Sequence, residues 1–216
     1  MSYQKMTLDE LKDDLIRGAR NGYPVFLAGA LYWLAMGALG LFLEGQTLAL
    51  CYLFGVGGIF PLGLLFGKLL KADMISKNPL GALSGIVGGI QAFFLPIWIV
   101  IYMEHYELIP FAIGLLAGSH FLPYVWIYRS RTYLFLTLAM AAAAFFLGYV
   151  FDGLAFSVLP FVMVAIYLAT AAGLAAESGI TEIDGVDYID RGYDRLVSNL
   201  RMLGADVWRE MGSASD

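Results

Sequence analysis

Six nearly unbroken apolar runs, near residues 24–43, 47–67, 80–103, 108–127, 133–151 and 155–175, constrain this chain more than any motif in it. About 20 residues rising 1.5 Å each cover the roughly 30 Å hydrocarbon core of a bilayer, so each run is expected to cross a membrane as a helix. Composition agrees. The chain has 216 residues, 60% of them hydrophobic and 14% charged, whereas soluble domains lie near one half and one quarter. The expected fold is an all-α, polytopic membrane protein of six transmembrane helices, with a short N-terminal amphipathic helix before them and a small C-terminal tail carrying one helix after. The expected divisions are residues 1–22, 23–176 and 177–216.

Ahead of the first run, Thr7 and Glu10 have capping-box spacing, and Leu8, Leu11, Leu15 and Ile16 recur on one helical face. This pattern predicts a short helix lying at the membrane surface before Gly22 and Pro24 turn the chain inward. Its charges (Asp9, Glu10, Lys12, Asp13, Asp14, Arg17, Arg20) precede the first apolar run, so no signal peptide is expected. Cys51, the sole cysteine, excludes an intrachain disulfide and argues against a zinc cluster.

Lys and Arg are retained on the cytoplasmic side of membrane proteins. All thirteen lie on one predicted side: four before the first run, Lys68, Lys71 and Lys77 between the second and third, Arg129 and Arg131 between the fourth and fifth, and four in the tail. The opposite connectors, 44–46, 104–107 and 152–154, hold only Glu44, Glu104, His105, Glu107 and Asp152 as ionisable groups. The chain is therefore expected to be multi-pass, with both termini cytoplasmic. Three plus three spans permit halves of inverted topology, but no internal repeat accompanies that parity.

Inside the spans, Gly63/Gly67, Gly85/Gly89 and Gly114/Gly118 have the spacing that lets helix backbones approach closely. Pro61, Pro96, Pro110, Pro123 and Pro160 are expected to kink their helices, either shaping a cavity or simply packing. Few polar groups reach membrane depth. The candidate intramembrane polar site is Gln91, Ser119 and His120, with Ser84 two turns before Gln91. An unpaired amide in hydrocarbon costs several kcal/mol, so Gln91 should face the bundle and find a partner. His120 is either a functional ionisable group or a ring bonded to a backbone carbonyl. The spans hold no second histidine, carboxylate or suitably placed thiol, so no metal site and no cofactor are expected. Tyr102, Tyr106, Trp126, Tyr128 and Tyr133 fall at predicted water boundaries, where aromatic rings serve as anchors.

Residues 8–170 resemble a family of small bacterial integral membrane proteins of unknown function. The likeness rests on Asp14-Leu15, Gly22-Tyr23-Pro24, Trp33 and Lys77-Asn78-Pro79-Leu80-Gly81. It continues in His120-Phe121-Leu122-Pro123-Tyr124, Trp126, Tyr128, Ser130 and Tyr133. The resemblance implies the membrane fold, in a bacterial cytoplasmic (inner) membrane, and no activity.

The tail is different in kind, with four Arg against nine acids, while residues 1–176 balance nine against nine. Over residues 172–210 it resembles the carboxyl end of UDP-N-acetylglucosamine enolpyruvyl (1-carboxyvinyl) transferases. The matching residues are Tyr188-Ile189-Asp190-Arg191-Gly192-Tyr193 and then Leu200-Arg201, Leu203-Gly204-Ala205-Asp206. The resemblance implies a phosphoenolpyruvate contact at Arg191, although Tyr188 stands where the family usually has histidine. Roughly 35 residues are too few for a domain of that enzyme, and Cys51, inside a span, does not match its loop cysteine. The tail is thus a fusion remnant, a segment joined artificially, or a docking element, and is expected to be inactive. Leu196, Leu200 and Leu203, ended by Gly204, predict one short amphipathic helix there.

Three classes of function remain. A non-enzymatic membrane protein in transport, sensing or membrane structure comes first. An enolpyruvyl transferase fragment is the alternative, and a membrane-embedded enzyme is third, since the spans lack paired carboxylates or a nucleophile with its base. The expected partner is the lipid bilayer, with a homo-oligomer left open. The acidic tail argues against nucleic acid, and the sequence specifies no small-molecule ligand.

Overall fold

The computed structural model describes residues 3–151, 153–177, 196–202 and 207. Asp152, Arg191 and Leu203, singled out above, lie outside the described residues. The chain divides into two compact units, residues 1–179 and 180–216. The described part of the second is Val207 and a short helix, Leu196–Met202, where the leucine spacing predicts one.

The first unit is all helix among its described residues. In chain order its helices are α1 (Leu8–Ala19), α2 (Tyr23–Leu39), α3 (Gly45–Gly55), α4 (Ile59–Leu69), α5 (Pro79–Gly89), α6 (Leu95–His105), α7 (Ile109–Ser119), α8 (Tyr124–Ile127), α9 (Arg131–Phe145) and α10 (Leu159–Glu177). Short 3-10 segments at Val56–Gly58, Ile90–Phe94 and Tyr106–Leu108 join several of them, and a π-helical turn, Phe146–Val150, extends α9.

Joined end to end, these pieces give five stretches long and apolar enough to cross a membrane, where the sequence predicts six spans. The difference lies in Pro79–Ile127, a single stretch of 49 residues. At 1.5 Å per residue it would exceed twice the thickness of the hydrocarbon core. It is broken at His105, whose φ of −147° and ψ of 63° are not helical, and α6 then packs against α7. It thus holds both the third and fourth apolar runs.

Pro110, Pro123 and Pro160 stand at helix starts, whereas Pro61 and Pro96 lie inside continuous helical stretches, each just after a 3-10 segment that breaks the α-helical ladder as a kinking proline does. Pro24, Pro79, Pro96 and Pro110 occupy the first or second position of α2, α5, α6 and α7. Pro160 is second in α10, and Pro61 third in α4. Where a helix starts afresh, the first turn has no intrahelical acceptor for its N–H groups, so a residue without one loses nothing there. The third apolar run is consequently split: α5 ends, the 3-10 segment Ile90–Phe94 intervenes, and α6 restarts at Leu95 with Pro96 in its first turn. Gln91 lies in that break.

The core forms where α2 packs on α10 and α4, and α9 on α7 and α10. Trp33, Tyr52, Ile109, Ile113, Leu136, Met140 and Met163 fill it. Small residues set the spacing, as predicted for two of the three glycine pairs. A Cβ added to Gly114 would lie 2.8 Å from Met163 Cε, one on Gly118 would lie 2.9 Å from Met140 Cβ, and one on Gly63 would lie 3.2 Å from Val25 Cγ2. The pair Gly85/Gly89 departs from that expectation, because an added Cβ would meet nothing within 4 Å at either position.

Candidate functional site

At the end of the bundle that carries α1, polar side chains make a series of contacts from Thr7 to His120. The α1 capping box is formed: the Thr7 hydroxyl accepts the Glu10 N–H at 3.3 Å, and the Glu10 carboxylate accepts the Thr7 N–H at 2.7 Å. The helix does not lie free on a surface; it is docked between two connectors. On one side the Arg129 guanidinium pairs with Asp13 at 3.0 Å and with Asp9, while the Lys12 ammonium sits 3.5 Å from the centroid of the Trp126 ring. On the other, fully buried Asn78 donates to Leu11 O at 2.8 Å and to the Asp14 carboxylate at 2.9 Å, and its own Oδ1 caps α5 by accepting the Leu80 N–H at 2.9 Å.

Three left-handed residues, Arg20, Asn21 and Gly22, with φ of 50°, 52° and 73°, turn α1 into α2. The turn is held by the Tyr133 hydroxyl, which donates to Asn21 O at 2.7 Å, and by Asn21 Nδ2, which donates to Leu174 O at 3.4 Å. Gly22 suits this place because a Cβ would stand 3.0 Å from the Tyr133 hydroxyl.

Beneath α1, the rings of Tyr124, Tyr128 and Tyr133 stack mutually, with centroids 5.4 to 5.9 Å apart. Tyr128 and Tyr133 are buried, so two residues expected as boundary anchors belong to the interior. Tyr124 donates to Ser84 O at 2.6 Å, a contact that fits because Gly88 lacks a Cβ, which would lie 3.2 Å from the hydroxyl. The Ser84 hydroxyl turns back to Leu80 O within its own helix, at 2.9 Å.

Gln91 and His120 meet at the end of this series. Gln91 Nε2 lies 2.8 Å from His120 Nε2 and 3.0 Å from Nδ1, and Nδ1 also contacts Ala117 O. The arrangement that satisfies both ring nitrogens is a neutral ring: Nδ1–H donates to Ala117 O, and Nε2 accepts from the Gln91 amide. The imidazole is 7% exposed, packed against Phe121 at 3.9 Å between ring centroids. Both polar side chains thus face the bundle, each as the other's partner. Ser119 is not brought to them. One residue along the helix is a turn of about 100°, and its exposed hydroxyl donates to Leu116 O at 2.9 Å.

Sequence reasoning named Asn78 only within the family likeness and gave it no role, although the Asn-Pro pair at 78–79 is a helix-start signal. It also missed Asn21 Oδ1, Tyr52 OH and Trp98 Nε1, three buried polar atoms without a protein partner among the described residues. No group of three metal-ligating side chains occurs among the described residues. At the opposite end, a 130 Å³ pocket is lined by Gly40, Leu43, Glu44, Leu48, Phe156 and Ser157. It is well below the roughly 300 Å³ at which small-molecule sites begin.

The apolar helical stretches and the polar contacts between them define a polytopic α-helical membrane protein. The chain belongs to the family of unknown function DUF7010, which matches residues 8–177. A separate likeness covers 39 residues, 18% of this chain. There it is 64% identical to UDP-N-acetylglucosamine 1-carboxyvinyltransferase 2 of Oceanobacillus iheyensis and 62% identical to that of Geobacillus kaustophilus. The chain spans 9% of the length of these curated relatives. No solved structure matches.

Proposed function

We propose that the protein is a non-enzymatic, multi-pass protein of the bacterial cytoplasmic membrane, working in sensing or transport through movement of the arm formed by residues 79–105. The observation that carries this reading is how that arm is held. In α5 only Leu80 and Val87 are buried, in α6 only Trp98, and in the segment between them none. Nine residues of α2 and eight of α10 are buried by comparison. Elements with few buried apolar contacts are those that open first. Polar contacts hold the arm's first half, with Asn78 at its base, Tyr124 to Ser84, and Gln91 to His120, while α6 packs against α3 and α7. The contact of Gln91 with His120 is a latch, and the Gln91 amide can rotate to offer Oε1 to a protonated ring or Nε2 to a neutral one.

Gln91→Leu keeps the volume and removes the latch. In detergent micelles, amide hydrogen exchange across residues 79–105 is expected to quicken at least about tenfold, the equivalent of one to two hydrogen bonds, with exchange in α2 and α10 unchanged. Equal protection of the arm in both proteins would refute the latch.

Both termini and the 68–77 connector are proposed to be cytoplasmic, on the strength of the thirteen one-sided cations. Single cysteines at Glu44 or His105, in a Cys51→Ser background, are expected to react with an impermeant thiol reagent from outside intact cells. Protection of both would reverse the orientation. The tail is proposed as a segment derived from a 1-carboxyvinyltransferase and without that activity, since 9% of such an enzyme does not enclose its substrates.

A further inference from the structure

We propose that the corner where the end of α1 meets the α4–α5 connector is a binding site for an anionic phospholipid. The Gly18 carbonyl accepts the Asp73 N–H at 2.8 Å, which fixes the two segments together. Arg17 and Arg20 flank Gly18, and Lys71 precedes Asp73 by two residues, with Lys68 and Lys77 to either side. All five are exposed. Arg20 and Lys71 occupy left-handed turns, φ 50° and 56°, so their positions are set by the backbone.

What marks this corner is that its positive charge is not neutralised from within. No ion pair among the described residues engages any of the five, whereas Arg129, at the other side of α1, holds both Asp9 and Asp13. Of the carboxylates on these two segments, Glu10 and Asp14 are turned to Thr7 and Asn78, and Asp73, which accepts the Ile75 N–H at 3.2 Å, is the one acid set among the five cations, so the corner keeps an excess of positive charge. Beside the cations stand two large apolar side chains, Leu69 and Ile75, 66% and 76% exposed. Leu69 ends a helix of a membrane-crossing stretch. A cluster of cations at the level of the headgroups, with apolar groups beside it at the level of the first methylenes, complements a phosphodiester carrying acyl chains. A soluble phosphate would use the cations and leave Leu69 and Ile75 unsatisfied.

The inference rests on the membrane reading but not on the orientation, and micelles, which have no sidedness, keep the two apart. The full chain, purified in an uncharged detergent, is titrated with phosphatidylglycerol, with phosphatidylcholine of the same acyl length, and with inorganic phosphate. Bound lipid is counted by native mass spectrometry. Phosphatidylglycerol is expected to bind at least about tenfold more tightly than phosphatidylcholine, as several cations near one headgroup imply. Arg17→Gln/Arg20→Gln/Lys71→Gln/Lys77→Gln is expected to abolish that preference, and Glu104→Gln/Glu107→Gln at the other end to keep it. In the unaltered protein, rising salt should erode the preference without weakening phosphatidylcholine binding, which gives a readout even if the fourfold variant fails to fold. Equal binding of the two lipids, a preference indifferent to salt, or displacement of the lipid by inorganic phosphate alone would overturn the proposal.

Discussion

Asn78→Ala is expected to release α1 from the bundle and to destabilise the protein by about 3 kcal/mol, combining a lost helix cap of about 1 kcal/mol with buried hydrogen bonds to a carboxylate and a carbonyl. Asn78 is 0% exposed, and its three side-chain bonds, all 2.8 to 2.9 Å, join the start of α5 to the middle of α1. Removing the amide leaves the Asp14 carboxylate facing a gap it cannot fill. Two measurements check this: the thermal midpoint in detergent should fall, and amide exchange across residues 8–19 should rise. Asn78→Asp separates the two halves of the effect. Its carboxylate can still cap α5, but it confronts Asp14 with a like charge, so exchange in α1 should rise while the first turn of α5 stays protected. If both variants leave α1 as protected as before, Asn78 does not dock it.

A second large effect is expected at Gly29, in the middle of α2. A Cβ there would fall 2.1 Å from Tyr167 Cε1 and 2.4 Å from Cδ1, closer than any packed contact. Tyr167 cannot swing aside, being 3% exposed and packed against Phe26, with ring centroids 6.0 Å apart. The backbones of α2 and α10 must therefore separate. Overpacking costs about 1 to 3 kcal/mol and occasionally more, against a gain of about 1 kcal/mol from replacing glycine within a helix. Gly29→Ala is expected to lose about 2 kcal/mol net, and Gly29→Val more, read as a lowered unfolding midpoint. Shortening the ring partner in Gly29→Ala/Tyr167→Leu should recover part of the loss. A neutral Gly29→Ala would mean that the ring yields more easily than its surroundings suggest.

The sequence shows the membrane-crossing stretches plainly, because run length alone distinguishes them. It does not show how the third run breaks, because a proline inside an apolar run looks the same whether it kinks a helix or begins one. The requirement that Gln91 and His120 find partners is legible from the cost of burying an amide in hydrocarbon. That they find each other, 29 residues apart, depends on how the arm registers against α7. Ser119 shows the limit of reading by proximity, since adjacency along a helix places it on another face. Gly85/Gly89 has the same spacing as Gly114/Gly118, yet meets nothing. Spacing describes a face, and only the neighbouring helix decides whether the face is used.

The turn between α1 and α2 determines how α1 can compete for its own docking site. It is three residues long, Arg20–Gly22, a tether reaching about 10 Å at full extension. Confined within that radius, α1 is present at its site at an effective concentration of about millimolar or above. The Arg129 pairs, with side chains 40%, 53% and 81% exposed, are of a kind that contributes at most about 1 kcal/mol each. Pairs that weak would add little to the capture of a free peptide beyond what Asn78 and the buried Leu15 and Ala19 supply, but they can help keep a tethered one seated. A detached copy of residues 8–19, added in solution, would have to match that local concentration before it displaced the original.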